Sequence, residues 1–101
     1  MNRNLMRQAQ ELQARLMKAQ EELANTILEV SSGGGAVKVT IDGAQKIRSI
    51  KIAKEVVNPE DVEMLEDLIL AAIKEAHDKV EKASEESMSK ITGNIKIPGL
   101  F

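Results

Sequence analysis

The chain has 101 residues, of which 43% are hydrophobic, and its single aromatic residue is Phe101. That length suits one domain, whose core must be built from aliphatic and methionine side chains. The absence of cysteine excludes disulfides and thiolate metal sites and fits a reducing compartment. No apolar run approaches the ~18 residues of a membrane span, and Met1–Asn4 are polar. We therefore expect a cytoplasmic protein with no membrane partner.

The net charge of −2 is spread unevenly along the chain. Residues 1–20 carry +3 and residues 36–54 carry +4, whereas residues 55–92 carry −7. A polyanion would therefore meet the first of these segments or the middle of the chain, while the acidic segment is typical of a solvated surface.

The first predicted element is a long helix over Asn2–Asn25, uninterrupted by glycine or proline and rich in strong helix formers. Its apolar residues recur in alternating steps of four and three, which is the a/d seam of a heptad pattern. So narrow a seam on so long a helix predicts a partner helix, and pairing two copies would bury it. We therefore expect a homodimer with this interface: Leu5, Ala9, Leu12, Leu16, Ala19 and Leu23.

Residues 26–53 predict a three-stranded antiparallel sheet. The strands are expected at Thr26–Val30, Ala36–Asp42 and Lys46–Ala53, joined by a glycine-rich loop over Ser31–Gly35 and a turn around Asp42-Gly43. In the second strand, Val37, Val39 and Ile41 share one face, which predicts the core side of the sheet. Ile50 and Ile52 continue that face in the third strand. Ile47 breaks the alternation, which indicates either a bulge or a contact on the outer face.

A second helix is predicted over residues 58–92. Asn58 is expected as its N-cap and Pro59 as its first residue, and Gly93 with Asn94 as its end. Its wide apolar stripe suits packing on the apolar face of the sheet. The tail, residues 93–101, is apolar but interrupted by Pro98-Gly99, and the sequence leaves open whether it docks or is loose.

Together these elements predict an α+β subunit of order α-β-β-β-α forming one domain over residues 1–101. Residues 1–25 form a helical arm, 26–53 the sheet, 58–92 the second helix and 93–101 the tail. The second helix can cover the sheet, which leaves the first helix largely unpaired within one chain.

No residue pattern indicates catalysis, a cofactor or a metal site. His77 is the only histidine, and its position fits a helix-surface residue beside Asp78. The Gly33–Gly35 run lacks the Lys-Ser/Thr pair and the helix that a phosphate-binding loop requires. The carboxylates of the second helix have no evident desolvating pocket, so we do not expect an enzyme.

The basic residues are the remaining candidates for a site. Those of the first helix are Arg3, Arg7, Arg15 and Lys18, and a secondary set in the third strand region is Lys46, Arg48 and Lys51. A solvated helix surface explains the first set as well as a nucleic-acid site does. The near absence of aromatic side chains argues against base stacking. If nucleic acid binds, contacts to duplex phosphates should dominate.

Four blocks of the chain, in this order, resemble the YbaB/EbfC family of bacterial nucleoid-associated proteins. They are MRQAQELQARLMKAQEELAN, SSGGGAVKVTIDGAQKIRSIKI, NPEDVEMLEDLILAAIKEA and ITGNIKIPG. The resemblance implies a homodimer of α-β-β-β-α subunits whose first helices project like tweezer arms. It also implies binding of duplex DNA with little or modest sequence preference and association with the nucleoid. No catalytic residue is implied.

The function expected from residues and resemblance together is a dimeric nucleoid-associated protein that grips the duplex backbone with the arm residues Arg3, Arg7, Arg15 and Lys18. The resemblance further implies a role in nucleoid organisation, gene expression or DNA repair, with recombination or replication proteins as partners. The alternative is an interaction adaptor whose arms and Ile95–Phe101 tail recruit a protein.

Overall fold

The computed structural model describes residues 2–93, and it confirms the predicted order α-β-β-β-α. The elements are helix α1 (Arg3–Ala24), strands β1 (Ile27–Ser32), β2 (Val37–Asp42) and β3 (Ile47–Ile52), and helix α2 (Val62–Gly93). Short 3₁₀ turns at Gly33–Gly35 and Lys54–Val56 follow β1 and β3. The predicted tail, residues 93–101, lies outside the described residues except for Gly93.

Helix α1 is capped at both ends by local polar groups. The Asn2 side chain accepts a hydrogen bond from the Asn4 amide at 3.0 Å, and the Asn2 carbonyl accepts from the Met6 amide. After the helix ends, the Thr26 hydroxyl donates to the Glu22 carbonyl at 2.8 Å. These bonds satisfy backbone groups that a helix terminus otherwise leaves without partners.

The three strands form one antiparallel sheet of order β1-β2-β3. Strand β1 is longer than predicted, because Ser31 and Ser32 continue the ladder opposite Lys38 and Val37 instead of entering the loop. The Ser32 hydroxyl donates to the Leu68 carbonyl of α2 at 2.7 Å, which fixes this end of the strand.

A bulge in the β2–β3 pairing resolves the predicted irregularity at Ile47. The register shifts between Thr40 and Ile41, so that Ile41 pairs with Ile47 while Val39 pairs with Ile50. Directly paired residues lie on the same face of a sheet. The bulge therefore places Ile47 on the apolar face. Of the two predicted alternatives, a bulge or a contact on the outer face, the structure shows the bulge.

The core lies between the apolar face of the sheet and α2. Its fully or nearly fully buried members are Val30, Val37, Val39, Ile41, Ala72, Ala76 and Val80, with Leu28, Leu65, Leu68 and Ile69 packed against them. The predicted core face of β2 is thus confirmed. The small alanines on α2 let the helix approach the sheet closely, because they add little volume between backbone and strands.

The cover over the sheet is incomplete, because α2 packs on β1 and β2 but not comparably on β3. The side chains of Ile47, Ile50 and Ile52 lie on the core face and remain 36%, 43% and 37% exposed. Leu70 of α2 is also 52% exposed. The expectation that Ile50 and Ile52 lie on the core face is correct, but one chain does not bury them.

Helix α2 begins at Val62, which corrects the predicted N-cap at Asn58 and the predicted first residue at Pro59. The Asp61 side chain accepts from the Met64 amide at 3.2 Å, so Asp61 is the N-cap. Asn58 instead closes a preceding turn by accepting from the Glu60 amide at 3.0 Å. Two capping signals three residues apart compete in the sequence, and the later one begins the helix.

The first helix is less isolated than the sequence predicts. It packs against α2 of its own chain, and Leu12, Leu16, Ala19 and Leu23 are half-buried, although none of its described residues is fully buried. Leu5 remains 62% exposed. The molecule is elongated and measures 70 × 24 × 16 Å. Within residues 2–93, no helix is both long and apolar enough to cross a bilayer.

Candidate nucleic-acid interface

The four predicted basic residues of α1 form one exposed surface, which we call the arm face (Arg3, Arg7, Arg15 and Lys18). At about 100° per residue they occupy roughly 120° of the helix circumference, and the apolar seam lies on the opposite side. The helix therefore presents its cations to solvent while Leu12 and Leu16 turn toward α2. This separation follows directly from the spacing of the residues along the helix.

None of the four arm-face cations has an ion-pair partner within the part of the chain that the structure describes. The one ion pair there joins Arg48 to Asp42. Glu11 and Arg15, which lie one helical turn apart, are not within ion-pair distance of each other. Glu11, Glu21 and Glu22 fall within the same arc of the helix, so the excess positive charge is confined to residues 1–20, which carry +3. This excess creates a positive field that attracts phosphates.

The root of the arm is tightly fixed to the turn between β2 and β3. The Gly43 amide donates to the Thr26 carbonyl at 3.1 Å. A Cβ atom placed on Gly43 would lie 1.8 Å from the Leu23 carbonyl oxygen, a distance that no side chain can accept. Glycine at this position therefore lets α1 meet the sheet, and it helps to set the direction in which the arm leaves the body.

The buried carboxylate of Asp42 organises the same turn. It accepts hydrogen bonds from the amides of Ala44 at 2.9 Å and Lys46 at 3.1 Å, and from Arg48 at 2.8 Å. The bond from the Lys46 amide lowers the pKa of Asp42 most, burial opposes it, and the Arg48 bond and charge lower it further. The carboxylate is thus held ionised.

The three residues of the secondary basic set differ in whether their charge is neutralised by an ion pair. Arg48 is engaged with Asp42 and largely neutralised, so it is a poorer phosphate ligand than its exposure of 58% suggests. Lys46 and Lys51 are exposed and have no ion pair among the described residues. Lys38 was not among the predicted site residues, and it pairs directly with Lys51 in the sheet. The alternation of β2 was the signal that could have identified it.

Two motifs set aside in the sequence have structural roles here. Gly33, Gly34 and Gly35 all adopt positive φ in the loop after β1, and a Cβ on Gly33 would lie 2.7 Å from Leu68.

His77 hydrogen-bonds through Nδ1 to the Gln45 side chain, which ties α2 to the β2–β3 turn. The hydrogen-bond partner of His77 is thus a side-chain amide. Across residues 2–93, no three acidic or histidine side chains gather as a metal site.

The arm, the sheet and the single covering helix define a small α+β class of protein with a basic helical arm. Sequence comparison identifies the family within this class, because the model of the YbaB/EbfC DNA-binding family matches residues 1–95. The chain belongs to this family of nucleoid-associated DNA-binding proteins.

Similar proteins support the assignment over nearly the full length. A nucleoid-associated protein of Pelotomaculum thermopropionicum is 50% identical over 97 residues, covering 96% of this chain and 92% of that protein. One from Chloroflexus aurantiacus is 50% identical over 99 residues, covering 98% and 97%. The crystal structure of the uncharacterized protein HP0035 from Helicobacter pylori has a TM-score of 0.75 at 20% identity, covering 91% of this chain and 98% of that one. That likeness shows the shared fold.

Proposed function

We propose that this protein is a homodimeric nucleoid-associated protein that binds duplex DNA mainly through phosphate contacts made by the arm face. The observation that carries the proposal is the set of four exposed arm-face cations without ion-pair partners among the described residues. Phosphate contacts give affinity without reading bases, so little or modest sequence preference follows. The nucleoid is the corresponding location, as the names of its relatives suggest.

The dimer proposal is supported by the apolar surface that one chain leaves open. Ile47, Ile50 and Ile52 continue the core face of the sheet beyond the cover of α2. Contiguous apolar surface of this kind marks interfaces in soluble proteins. We call this surface the β3 face, and we propose that a second copy covers it.

The α1 seam retains a smaller part in the proposed dimer. Leu5 and Ala9 are exposed and free to meet a second chain. Leu12, Leu16 and Leu23 already lose part of their surface within their own chain, so their contribution to an interface is reduced. A dimer closed through the β3 face would leave the arm faces of both chains exposed.

The test is a gel-shift salt series on duplex DNA of varied sequence. The logarithm of the binding constant should fall linearly with the logarithm of salt concentration, with a slope of about −0.9 per phosphate contacted. A variant with all four arm-face residues changed to Gln should weaken binding and flatten the slope. The control removes exposed lysines from the acidic segment, by Gln substitutions at Lys74, Lys82 and Lys90.

The outcomes separate the proposal from its alternative. An unchanged slope in the arm-face variant, or an equal loss in the control, contradicts the assigned site. No duplex binding at low salt contradicts DNA binding, and a partner captured by the arms after nuclease treatment then favours the adaptor alternative. In the cell, we propose a role in nucleoid organisation, gene expression or DNA repair. Recombination or replication proteins are the proposed partners in that role.

A further inference from the structure

The sheet has a second face, opposite α2, that the arm-face proposal does not use. Lys38 and Thr40 of β2 and Ser49 and Lys51 of β3 lie on it, because they alternate with the core-facing residues of their strands. We name these four residues the outer sheet face. We propose that it is a second binding surface for duplex phosphates, so that one molecule can hold two DNA segments. This inference rests on the proposed function.

The register of the sheet places two like charges side by side. Lys38 and Lys51 are directly paired across β2 and β3, and both side chains are exposed. Directly opposite side chains in an antiparallel pair have Cβ atoms about 5 Å apart, and like charges there are destabilising. Neither ammonium group has a carboxylate within ion-pair distance in residues 2–93. An anion bound between them removes the repulsion and gains charge-assisted hydrogen bonds.

Hydroxyl groups extend this site along the strands. The Thr40 and Ser49 hydroxyls lie one pair further along and are hydrogen-bonded to each other at 2.6 Å. Only one hydrogen is used in that bond, so the pair keeps one O–H free to donate to a phosphate oxygen. Ser31 of β1 adds a further hydroxyl beside Lys38. Cations flanked by hydroxyls are typical of contacts to the DNA backbone.

The acidic groups near this surface do not cancel its charge. Asp42 and Arg48 form an ion pair, so their opposite charges cancel. The pair therefore leaves the net charge of the outer sheet face unchanged. Glu29 of β1, opposite Thr40, is the one unpaired carboxylate in the described part of this face. Its position diagonal to Lys38 predicts that it weakens phosphate binding, which makes Glu29 a useful second test position.

The outer sheet face and the arm face belong to different elements of the fold. Helix α2 covers the inner face of the sheet, and α1 packs mainly on α2. A duplex on the outer sheet face would therefore contact strands β2 and β3, and not the helix that carries the arm face. Two surfaces so arranged give bridging, which a single basic groove does not.

A two-duplex capture assay tests this inference. One duplex is immobilised on beads, the protein is bound, and the recruitment of a second, fluorescent duplex is measured alongside a gel shift with a single duplex. We expect the full chain to recruit the second duplex. The K38Q/K51Q double variant should lose about tenfold in recruitment while single-duplex affinity changes less than about threefold. Glu29→Gln should increase recruitment.

The matched control is K74Q/K90Q, which removes two exposed lysines from α2 and should recruit the second duplex normally. Because Lys38 and Lys51 are exposed, the double variant should keep its thermal unfolding midpoint or raise it by relieving repulsion. Single-duplex binding without recruitment by the wild-type chain overturns this inference alone, as does undiminished recruitment by K38Q/K51Q. Absence of any duplex binding overturns the proposed function as well.

Discussion

Replacing Ile50 with aspartate tests the β3 face as the dimer interface. Ile50 is 43% exposed in one chain, at the centre of the apolar surface that α2 leaves open. Full burial of an isoleucine side chain is worth about 1.5–3 kcal/mol, so covering the remaining exposed part contributes about 1 kcal/mol per chain. By symmetry a dimer gains this twice, or about 2 kcal/mol.

The loss of that contribution is large enough to measure. Since 1.4 kcal/mol is a factor of ten in an equilibrium constant, Ile50→Asp should weaken dimerisation at least about 30-fold. A carboxylate facing an apolar partner adds a desolvation cost to this loss. Helical content should be unchanged, because Ile50 lies outside the buried core of the single chain.

Sedimentation equilibrium at micromolar concentration is the assay. We expect a dimer for the wild-type chain and the mass of one chain for Ile50→Asp. The control is Ser49→Asp, which adds the same charge to the neighbouring residue on the opposite face and should stay dimeric. Leu5→Asp tests the α1 seam, which is the second candidate for the dimer interface. If Ile50→Asp remains a dimer while Leu5→Asp dissociates, the interface lies on α1 and the reasoning about the β3 face is refuted.

Two further predictions concern the β2–β3 turn. The pKa of Asp42 is lowered from its ordinary value of 3.8, so its contribution to stability is present above that pH and is lost as the pH falls through the lowered folded pKa. Asp42→Asn should unfold at a lower temperature at neutral pH and show a weaker acid dependence; thermal melts with the wild-type acid dependence would contradict this. Gly43→Ala should cost about 1–3 kcal/mol in urea unfolding, because its Cβ meets the Leu23 carbonyl. Gly93→Ala, with open space around it, should cost nothing, and equal losses in both variants would refute the close-contact explanation.

Much of the fold could be predicted from the sequence because its signals are local. The steps of four and three along α1 and the strict alternation of Val37, Val39 and Ile41 each report a backbone period, and both elements form as predicted. The start of α2 was wrong by three residues because Asn58 and Asp61 both carry capping chemistry. Side-chain type alone does not decide which of them accepts the bond from the helix.

The candidate site was predicted less completely than the fold. Which charges are neutralised, and which side chains lie next to each other, depends on the register between neighbouring strands. The arm-face residues could be grouped from helical spacing alone. The neutralisation of Arg48 by Asp42 and the pairing of Lys38 with Lys51 could not, because both require the alignment of two strands and the bulge between them. A shift of one residue in that alignment would separate the lysines.

The sequence by itself determined the elements, their order and the two basic segments, because periodicity and composition act over a few neighbouring residues. Only the tertiary structure decided that α2 covers β1 and β2 but leaves the β3 face open, and that α1 rests on α2 with its cations outward. These outcomes depend on how far one helix can reach across a sheet and on how closely Gly43 lets the arm approach. Such long-range packing follows from shape and volume, which no local pattern in the chain encodes.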